Sequence, residues 1–185
     1  MSGRKIAVCI SGQIRTAIQA FKSFESFFSD ESIDVFIHTW DIDDAEIIDE
    51  VIKLYKPVAI QIDKSPNYER LDFDLMFKTI FLSNQLKRNY EIDNDFRYDV
   101  VVKYRFDLIF SKEEKFPKTK IEEKKLYVSK IDGPKMNTDY EQCGIHDLFF
   151  WGDSHTMDII CLTYNIRVLY YGNIRKKYFE KSEYI

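Results

Sequence analysis

The stretch that decides the fold is Tyr98–Phe110, with the sequence YDVVVKYRFDLIF. It begins as a run of apolar and β-branched residues, which indicates a strand that is buried on both faces of a sheet. Side chains alternate along a strand, so Lys103, Arg105 and Asp107 are predicted to share one face over roughly 13 Å. Three ionisable groups would then line one side of a central strand.

Two explanations fit this charged row. Buried charges are unfavourable unless they are paired or bound to a ligand. The row is therefore either an internal ladder of ion pairs or the floor of a polar ligand site near the carboxyl end of the strand. Lys103 lies deepest in the strand and is the member that we most expect to be structural.

The composition indicates one folded, soluble domain over residues 1–185. An apolar fraction of 45% supports a sizeable core, and a net charge of -4 gives no reason to expect nucleic acid as a partner. The three cysteines have no metal-like spacing, and their odd number fits a reducing compartment. We find neither a signal-peptide core nor a membrane-span pattern, so we expect a cytoplasmic protein without an integral membrane segment.

Strand and helix patterns alternate along the first 110 residues. Strands are predicted at Lys5–Ser11, Asp34–Trp40, about Val58–Asp63 and Tyr98–Phe110. Apolar residues at helical spacing lie between them, from Arg15 to about Ser29, over Ile47–Tyr55 and from Leu71 to about Tyr90. This order predicts an α/β fold with three layers, α/β/α, around a mainly parallel central sheet of Rossmann-like type.

The alternation ends after residue 110. The charge-dense segment 111–125 is predicted to be a solvated excursion from the domain. Behind it we expect a short strand at Leu126–Ser129, a surface loop over 132–144 and a strand at Asp147–Gly152. A last helix would be capped by Asp153 or Ser154.

The end of the first predicted strand offers one candidate site. In open α/β sheets, ligands bind beyond the carboxyl ends of the strands. Ser11, Gly12 and Gln13 stand at that position: glycine permits close approach of the backbone, and a helix start supplies free amide donors. Arg15 is suited to hold a phosphate. The alternative is that Gly12 is only a turn residue and Arg15 only a surface residue.

The second strand ends in His38, Trp40 and Asp41. A carboxylate at the position of Asp41 is able to accept a hydrogen bond from a ribose hydroxyl or from a base. The alternative is that the acidic cluster at this point only caps the following helix.

Two further strand ends carry ionisable groups. Arg105 and Asp107 end the fourth strand, where a carboxylate near a phosphate loop is suited to Mg²⁺ or Mn²⁺. His146 and Asp147 stand at the start of the last predicted strand and would supply a metal ligand or a general base. The alternative is that Asp147 is an ordinary loop residue and His146 a structural histidine.

Four blocks of this sequence resemble a family of glycosyltransferase-like proteins found in bacterial surface-polysaccharide clusters and in large DNA viruses and phages. In chain order they are KIAVCISGQIRT (5–16), DVFIHTWD (34–41), YDVVVKYRFDLIF (98–110) and HDLFFWGDSHTMD (146–158). The resemblance covers most of the chain, and it implies a nucleotide-sugar enzyme of the GT-A type. It also implies residue roles: the loop 11–15 and Asp41 would hold the nucleotide, Asp107 would bind the metal ion, and Asp147 would face the sugar.

The resulting hypothesis is a GT-A-like glycosyltransferase that moves a sugar from a nucleotide-diphosphate sugar to a hydroxyl of a saccharide or related acceptor. Arg15 and Arg105 would offset the charge of the diphosphate, Asp107 would bind Mn²⁺ or Mg²⁺, and Asp147 or His146 would activate the acceptor. Two alternatives stay open. One is a non-catalytic α/β binding or assembly module, in which the charged row is a ladder of ion pairs; the other is a different nucleotide-dependent transferase, such as a nucleotidyltransferase.

Overall fold

The computed structural model describes residues 3–41, 45–64, 73–128 and 149–162. These residues form a six-stranded sheet and four helices. The strands are β1 (Ile6–Ser11), β2 (Ile33–Trp40), β3 (Ala59–Asp63), β4 (Val100–Tyr104), β5 (Leu126–Val128) and β6 (Phe150–Gly152). The helices are α1 (Ala17–Phe27), α2 (Ala45–Tyr55), α3 (Phe73–Asp93) and α4 (Ser154–Cys161). The predicted surface loop at 132–144 lies outside the described residues.

The sheet is mostly parallel, with the strand order β3-β2-β1-β4-β6-β5. The strands β1 to β4 run parallel to one another, whereas β6 is antiparallel to both β4 and β5. The four parallel strands therefore end at one edge of the sheet, which we call the carboxyl edge. The predicted α/β class with a mainly parallel sheet is confirmed.

Helices cover both faces of the sheet because the central strands are apolar on both sides. In β1, the side chains of Ile6, Val8 and Ile10 pack into one core and those of Ala7 and Cys9 into another. The first core receives apolar residues of α1 and α2, and the second receives Met157 of α4 and the partly buried Leu86 and Tyr90 of α3. A strand that is buried on both sides has no polar face, which is why β1 reads as a continuous apolar run.

The fourth strand is shorter than the sequence pattern predicts, so the expectation of a charged row is wrong. β4 ends at Tyr104 and the chain turns at Phe106 and Asp107, which removes Arg105 and Asp107 from the strand. The turn is closed by two bonds: the amide of Leu108 donates to the carbonyl of Arg105 at 3.3 Å, and the hydroxyl of Tyr104 donates to the carbonyl of Leu108 at 3.2 Å. The parallel register of β1 with β4 likewise ends at the pair Ile10 and Tyr104.

The segment 111–125 is a solvated excursion on its charged side only. Its charged side chains are exposed, but Phe116 is buried in the first core and its amide donates to the carbonyl of Phe27 at 2.9 Å. Arg4 pairs with Glu31 and donates to the carbonyl of Pro117 at 2.7 Å. The excursion is therefore held against α1 and the start of β1.

A buried cluster of charges joins α3 to α4, and we call it the α3–α4 clamp. The ammonium of Lys87, which is 0% exposed, donates to Glu91 at 3.0 Å, to Ser154 at 2.8 Å and to Asp158 at 2.8 Å. Arg97 donates to the same two carboxylates at 3.0 and 2.8 Å. Two cations thus meet two carboxylates, so the clamp is electrically balanced, as buried charges require.

Hydrogen bonding keeps Asp158 of the clamp ionised despite its burial. Burial alone raises the pKa of this carboxyl group. The hydrogen bond and the charge of Lys87, with hydrogen bonds from Arg97 and Asn84, outweigh that effect and hold the pKa below its ordinary value.

The last helix begins as predicted, with Asp153 as its N-cap. The carboxylate of Asp153 accepts from the amide of Thr156 at 3.0 Å, while Ser154 lies inside the helix and contacts the clamp. None of the helices over the described residues is long and apolar enough to cross a membrane.

Replacing Lys87 by Met is expected to lower the free energy of unfolding by about 3–5 kcal/mol, because it leaves Glu91 and Asp158 buried with Arg97 as their one remaining clamp cation. Urea denaturation followed by circular dichroism measures the change. The control is Lys118→Met, which removes an exposed ion pair with Asp30 and should leave the unfolding midpoint unchanged. A Lys87→Met variant as stable as the parent would show that the clamp is not needed for folding.

Candidate functional site

Three polar segments meet at the carboxyl edge. Ser11 at the end of β1 pairs in register with His38 of β2, and Ile10 pairs with Tyr104, the last residue of β4. The loop after β1, the end of β2 and the turn after β4 are therefore neighbours. The sequence predicted this meeting of strand ends, and the parallel register produces it.

The predicted site residues differ in exposure. Ser11 is buried, Gly12, Gln13 and Arg105 are partly exposed, and Arg15, Asp41 and Asp107 are exposed. All of these lie at or just beyond the carboxyl edge. His146 and Asp147 lie outside the described residues.

The loop after β1 is fixed by its glycine and by β2. Gly12 has φ +119°, a backbone conformation that other residues adopt only with strain. Its amide donates to the carbonyl of His38 at 3.3 Å, and its carbonyl accepts from the hydroxyl of Thr39 at 2.9 Å. A Cβ built on Gly12 meets no atom within 4 Å, so the space beside it is open. The loop is thus pre-shaped and accessible on that side.

The start of α1 carries a partial positive charge that neither its N-cap nor its first turn compensates. Thr16, the N-cap, makes no side-chain capping bond, and the first turn of α1 contains no acidic residue. Arg15 lies exposed directly before it. The amino end of a helix carries a partial positive charge, so this position favours an anion.

Arg105 and Asp107 form an exposed pair rather than a rung of a buried ladder. The Nε of Arg105 donates to Oδ1 of Asp107 at 2.9 Å and its Nη2 donates to Oδ2 at 2.6 Å, with the side chains 34% and 46% exposed. Partial burial raises the pKa of Asp107, but the hydrogen bonds and charge of Arg105 outweigh this and the pKa lies below its ordinary value. The ladder explanation of the charged row is therefore wrong for these two residues.

Lys103 is separated from that pair by the end of the strand. Its side chain is buried on the sheet face that α3 and α4 cover, and its ammonium donates to the carbonyl of Tyr104 at 3.1 Å. This placement agrees with the expectation that Lys103 is structural.

A second polar group at the carboxyl edge includes residues that the sequence analysis missed. We call it the His38 cluster, and it consists of His38, Trp40, Gln61, Asp63 and Lys78. The Nε2 of His38 lies 3.3 Å from Oδ2 of Asp63, whose other oxygen accepts from Gln61 at 2.9 Å. Lys78 of α3 lies 3.5 Å from the same carboxylate and 5.3 Å above the ring of Trp40.

The charge states in the His38 cluster follow from these contacts. Burial lowers the pKa of His38 and the contact with Asp63 offsets this only in part, so the ring is neutral at pH 7. The hydrogen bond from Gln61, with smaller contributions from His38 and Lys78, holds the pKa of Asp63 below its ordinary value despite partial burial. Asp63 is therefore ionised.

The sequence contained a signal for Asp63 and Gln61. The short strand β3 alternates as AIQID, which places both residues on one face. Its register with β2 pairs Gln61 with His38 and Asp63 with Trp40. Neither Lys78 nor Thr39 had such a signal, because the first approaches from α3 and the second acts through the backbone of another strand.

Two further features of the described residues bear on the site. An open cavity of about 600 Å³ lies between α1, α2 and the start of β2, lined by Phe21, Phe28, Ile33 and Leu54 among others, at the edge opposite the carboxyl edge. Within 3–41, 45–64, 73–128 and 149–162, no three His, Cys, Asp or Glu side chains are grouped as metal ligands. The polar strand ends therefore remain the candidate site.

Replacing Asp107 by Asn is expected to change the free energy of unfolding by less than about 1 kcal/mol, because exposed ion pairs stabilise proteins little. If Asp107 belonged to a buried ladder of ion pairs, the same substitution would lower the free energy of unfolding by about 3–5 kcal/mol. Urea denaturation decides between the two, and Asp158→Asn in the buried clamp serves as the positive control. Equal losses in both variants would contradict the exposed-pair description.

Sequence comparison finds no family model and no curated protein that matches the chain. An assignment of function therefore depends on the chemistry of the carboxyl edge.

Proposed function

We propose that the protein is a glycosyltransferase of the GT-A type that binds a nucleotide-diphosphate sugar at the carboxyl edge. It transfers the sugar to a hydroxyl group of a saccharide or related acceptor. The observation that carries the proposal is the Gly12 loop, which has a left-handed backbone at Gly12, is bonded to β2, is open beside its glycine and is separated from the start of α1 by four residues. Such a loop lets phosphate oxygens approach backbone amides at a helix start.

Two arginines complete the anion site. Arg15 adds a charge next to the amino end of α1, where the helix dipole already favours an anion. Arg105 presents its guanidinium fork to two carboxylate oxygens of Asp107, and the same geometry suits two oxygens of a phosphate. When the donor binds, its diphosphate would replace Asp107 as the partner of Arg105.

The reaction that fits this site is glycosyl transfer with a diphosphate leaving group. A base takes the proton of the acceptor hydroxyl, the oxygen bonds to the anomeric carbon, and the bond from that carbon to the diphosphate breaks with its electron pair. The negative charge that develops on the leaving group would be stabilised by Arg15, Arg105 and the amides of the loop. Asp147 or His146 as the base stays a prediction, since both lie outside the described residues.

A divalent cation is the cofactor that the family resemblance implies, with Asp107 as its ligand. Both oxygens of Asp107 accept from Arg105, and the described residues bring no group of three suitable ligands together. The described residues therefore do not form a complete site for a divalent cation. Metal binding by Asp107 stays a prediction.

Thermal-shift titration with UDP- and GDP-linked sugars, each with and without Mn²⁺, tests the proposal, with CMP-linked sugars as control donors because their leaving group is a monophosphate. At least one UDP- or GDP-linked donor is expected to raise the melting temperature by about 5–10 °C at a hundredfold excess over its Kd, because binding stabilises the folded state. Absence of stabilisation by every UDP- and GDP-linked donor would contradict the proposal. Binding without release of nucleoside diphosphate, in the presence of saccharide acceptors, would favour the non-catalytic binding module instead.

Replacing Arg15 by Gln is expected to weaken binding of the stabilising donor by about tenfold or more, because a charged hydrogen bond to phosphate is lost. Isothermal titration calorimetry measures the change. The control is Lys22→Gln, which removes an exposed charge further along α1. Equal affinities of Arg15→Gln and the parent would exclude Arg15 from the anion site.

A further inference from the structure

His38 combines complete burial with ring nitrogens that make no hydrogen bond among the described residues. Its side chain is 0% exposed; Nδ1 has no partner there, and Nε2 has only the carboxylate of Asp63 at 3.3 Å, without hydrogen-bond geometry. Buried polar atoms are nearly always paired, because an unpaired one loses its bonds to water without replacement. A buried orphan nitrogen at the carboxyl edge therefore points to a ligand group.

The tautomer of the ring follows from its neighbour. Nε2 lies 3.3 Å from Asp63, which is ionised and accepts but cannot donate. A proton on Nε2 faces this acceptor, whereas a lone pair there would face a carboxylate. The Nε2–H tautomer is therefore the favoured one, and it leaves a lone pair on Nδ1. The ligand group that fits Nδ1 is a hydrogen-bond donor, either O–H or N–H.

The environment suits an acceptor better than a general base. A general base needs a pKa near the working pH and a route that returns its proton to solvent. Burial lowers the pKa of His38, and the ring has no exposed surface. A ring that stays neutral and held in one tautomer is instead a fixed hydrogen-bond acceptor.

We propose that Nδ1 of His38 accepts a hydrogen bond from an O–H or N–H group of the nucleotide part of the donor, and so determines which donor binds. This inference rests on the proposed function. His38 pairs in register with Ser11, and its carbonyl binds the amide of Gly12. Adjacent strands lie about 4.8 Å apart, so a diphosphate at Gly12 brings the attached ribose and base within reach of the end of β2.

Ligand entry has to displace part of the surroundings of His38. The ring is contacted edge-on by Trp40 at 5.3 Å, and Trp40 is itself buried. Lys78 is the most exposed charged member of the His38 cluster at 34%, and it contacts both Trp40 and Asp63.

The proposal makes donor binding proton-linked. The titratable groups that face His38 are Asp63 from β3 and Lys78 from α3, and Cys9 of β1 and Lys103 of β4 share its side of the sheet. Protonation of Nδ1 removes the lone pair, so donor and proton compete for it. Because the pKa of His38 lies below 6.5, affinity is constant above that pH and falls by about tenfold per pH unit once the pH is below the pKa.

Two substitutions distinguish the roles of the two ring nitrogens of His38. His38→Gln places an amide near the position of Nε2, so it keeps the contact with Asp63 and loses the acceptor. His38→Asn places its amide oxygen near the position of Nδ1, so it keeps an acceptor that does not titrate. His155→Gln is the control, since His155 is exposed on α4. Circular dichroism and thermal melting establish that each variant is folded.

Calorimetric titration from about pH 5 to pH 8 uses whichever of UDP-glucose and GDP-mannose stabilises the parent more. His38→Gln is expected to bind about 10–100-fold more weakly at pH 8. His38→Asn should bind more tightly than His38→Gln, and His155→Gln should behave like the parent. Unchanged affinity of His38→Gln at pH 8 would overturn the proposal.

Nitrogen-15 NMR of the parent supplies a test that does not depend on variants. The chain has only three histidines, which makes assignment practical. The Nε2–H tautomer of His38 is expected in the free protein, with a shift at Nδ1 when the donor binds. No change at Nδ1 in the complex would overturn the proposal while leaving the proposed function intact. If no nucleotide donor binds the parent at any pH, the proposed function fails and this inference fails with it.

Discussion

The burial of β1 on both faces is the constraint on which the rest of the structure depends. A strand with apolar side chains on both sides needs a helical layer above and below it, and it needs a hydrogen-bonded neighbour on each edge. The helices α1 and α2 supply one layer, α3 and α4 supply the other, and β2 and β4 supply the two ladders. Every polar group that the strand cannot bury is thereby moved to its end, where Gly12 turns the chain out of the sheet.

The α3–α4 clamp and the carboxyl edge differ in how completely their polar groups are paired. In the clamp, the charges of Lys87, Arg97, Glu91 and Asp158 balance one another and hold two helices together. At the carboxyl edge, the first turn of α1 contains no acidic residue, and the ring nitrogens of His38 make no hydrogen bond among the described residues. Charges that are paired within the protein stabilise the fold, whereas polar groups without such a partner are available to a ligand.

The sequence predicted the fold well where one local pattern determined one element. The apolar runs of β1 and β2 and the helical spacing in α1 had no competing explanation. The end of β4 was mispredicted because Phe106, Leu108 and Phe110 continue the strand alternation while packing into the core from a turn, with Phe110 stacked 3.8 Å from Phe27. The clamp was not predicted, since Lys87 and Asp158 are 71 residues apart and neither is unusual alone. At the candidate site, the sequence pattern predicted which strand ends meet. It did not predict the contacts that determine the charge of Asp63 and the tautomer of His38.

The antiparallel position of β6 also bears on how the chain folds. The strands β1, β2 and β3 come from the first 63 residues as consecutive strand–helix units, so their contacts close short loops. By contrast, β4 pairs with β1 only when Val100 meets Ile6 across most of the preceding chain, and β6 reaches its place only after β4, when Gly152 pairs with Val101. A partly folded chain would therefore already hold the Gly12 loop against β2 before β4, β6 and α4 dock, so the loop and Arg15 would be in place ahead of Arg105 and of the elements that complete the core.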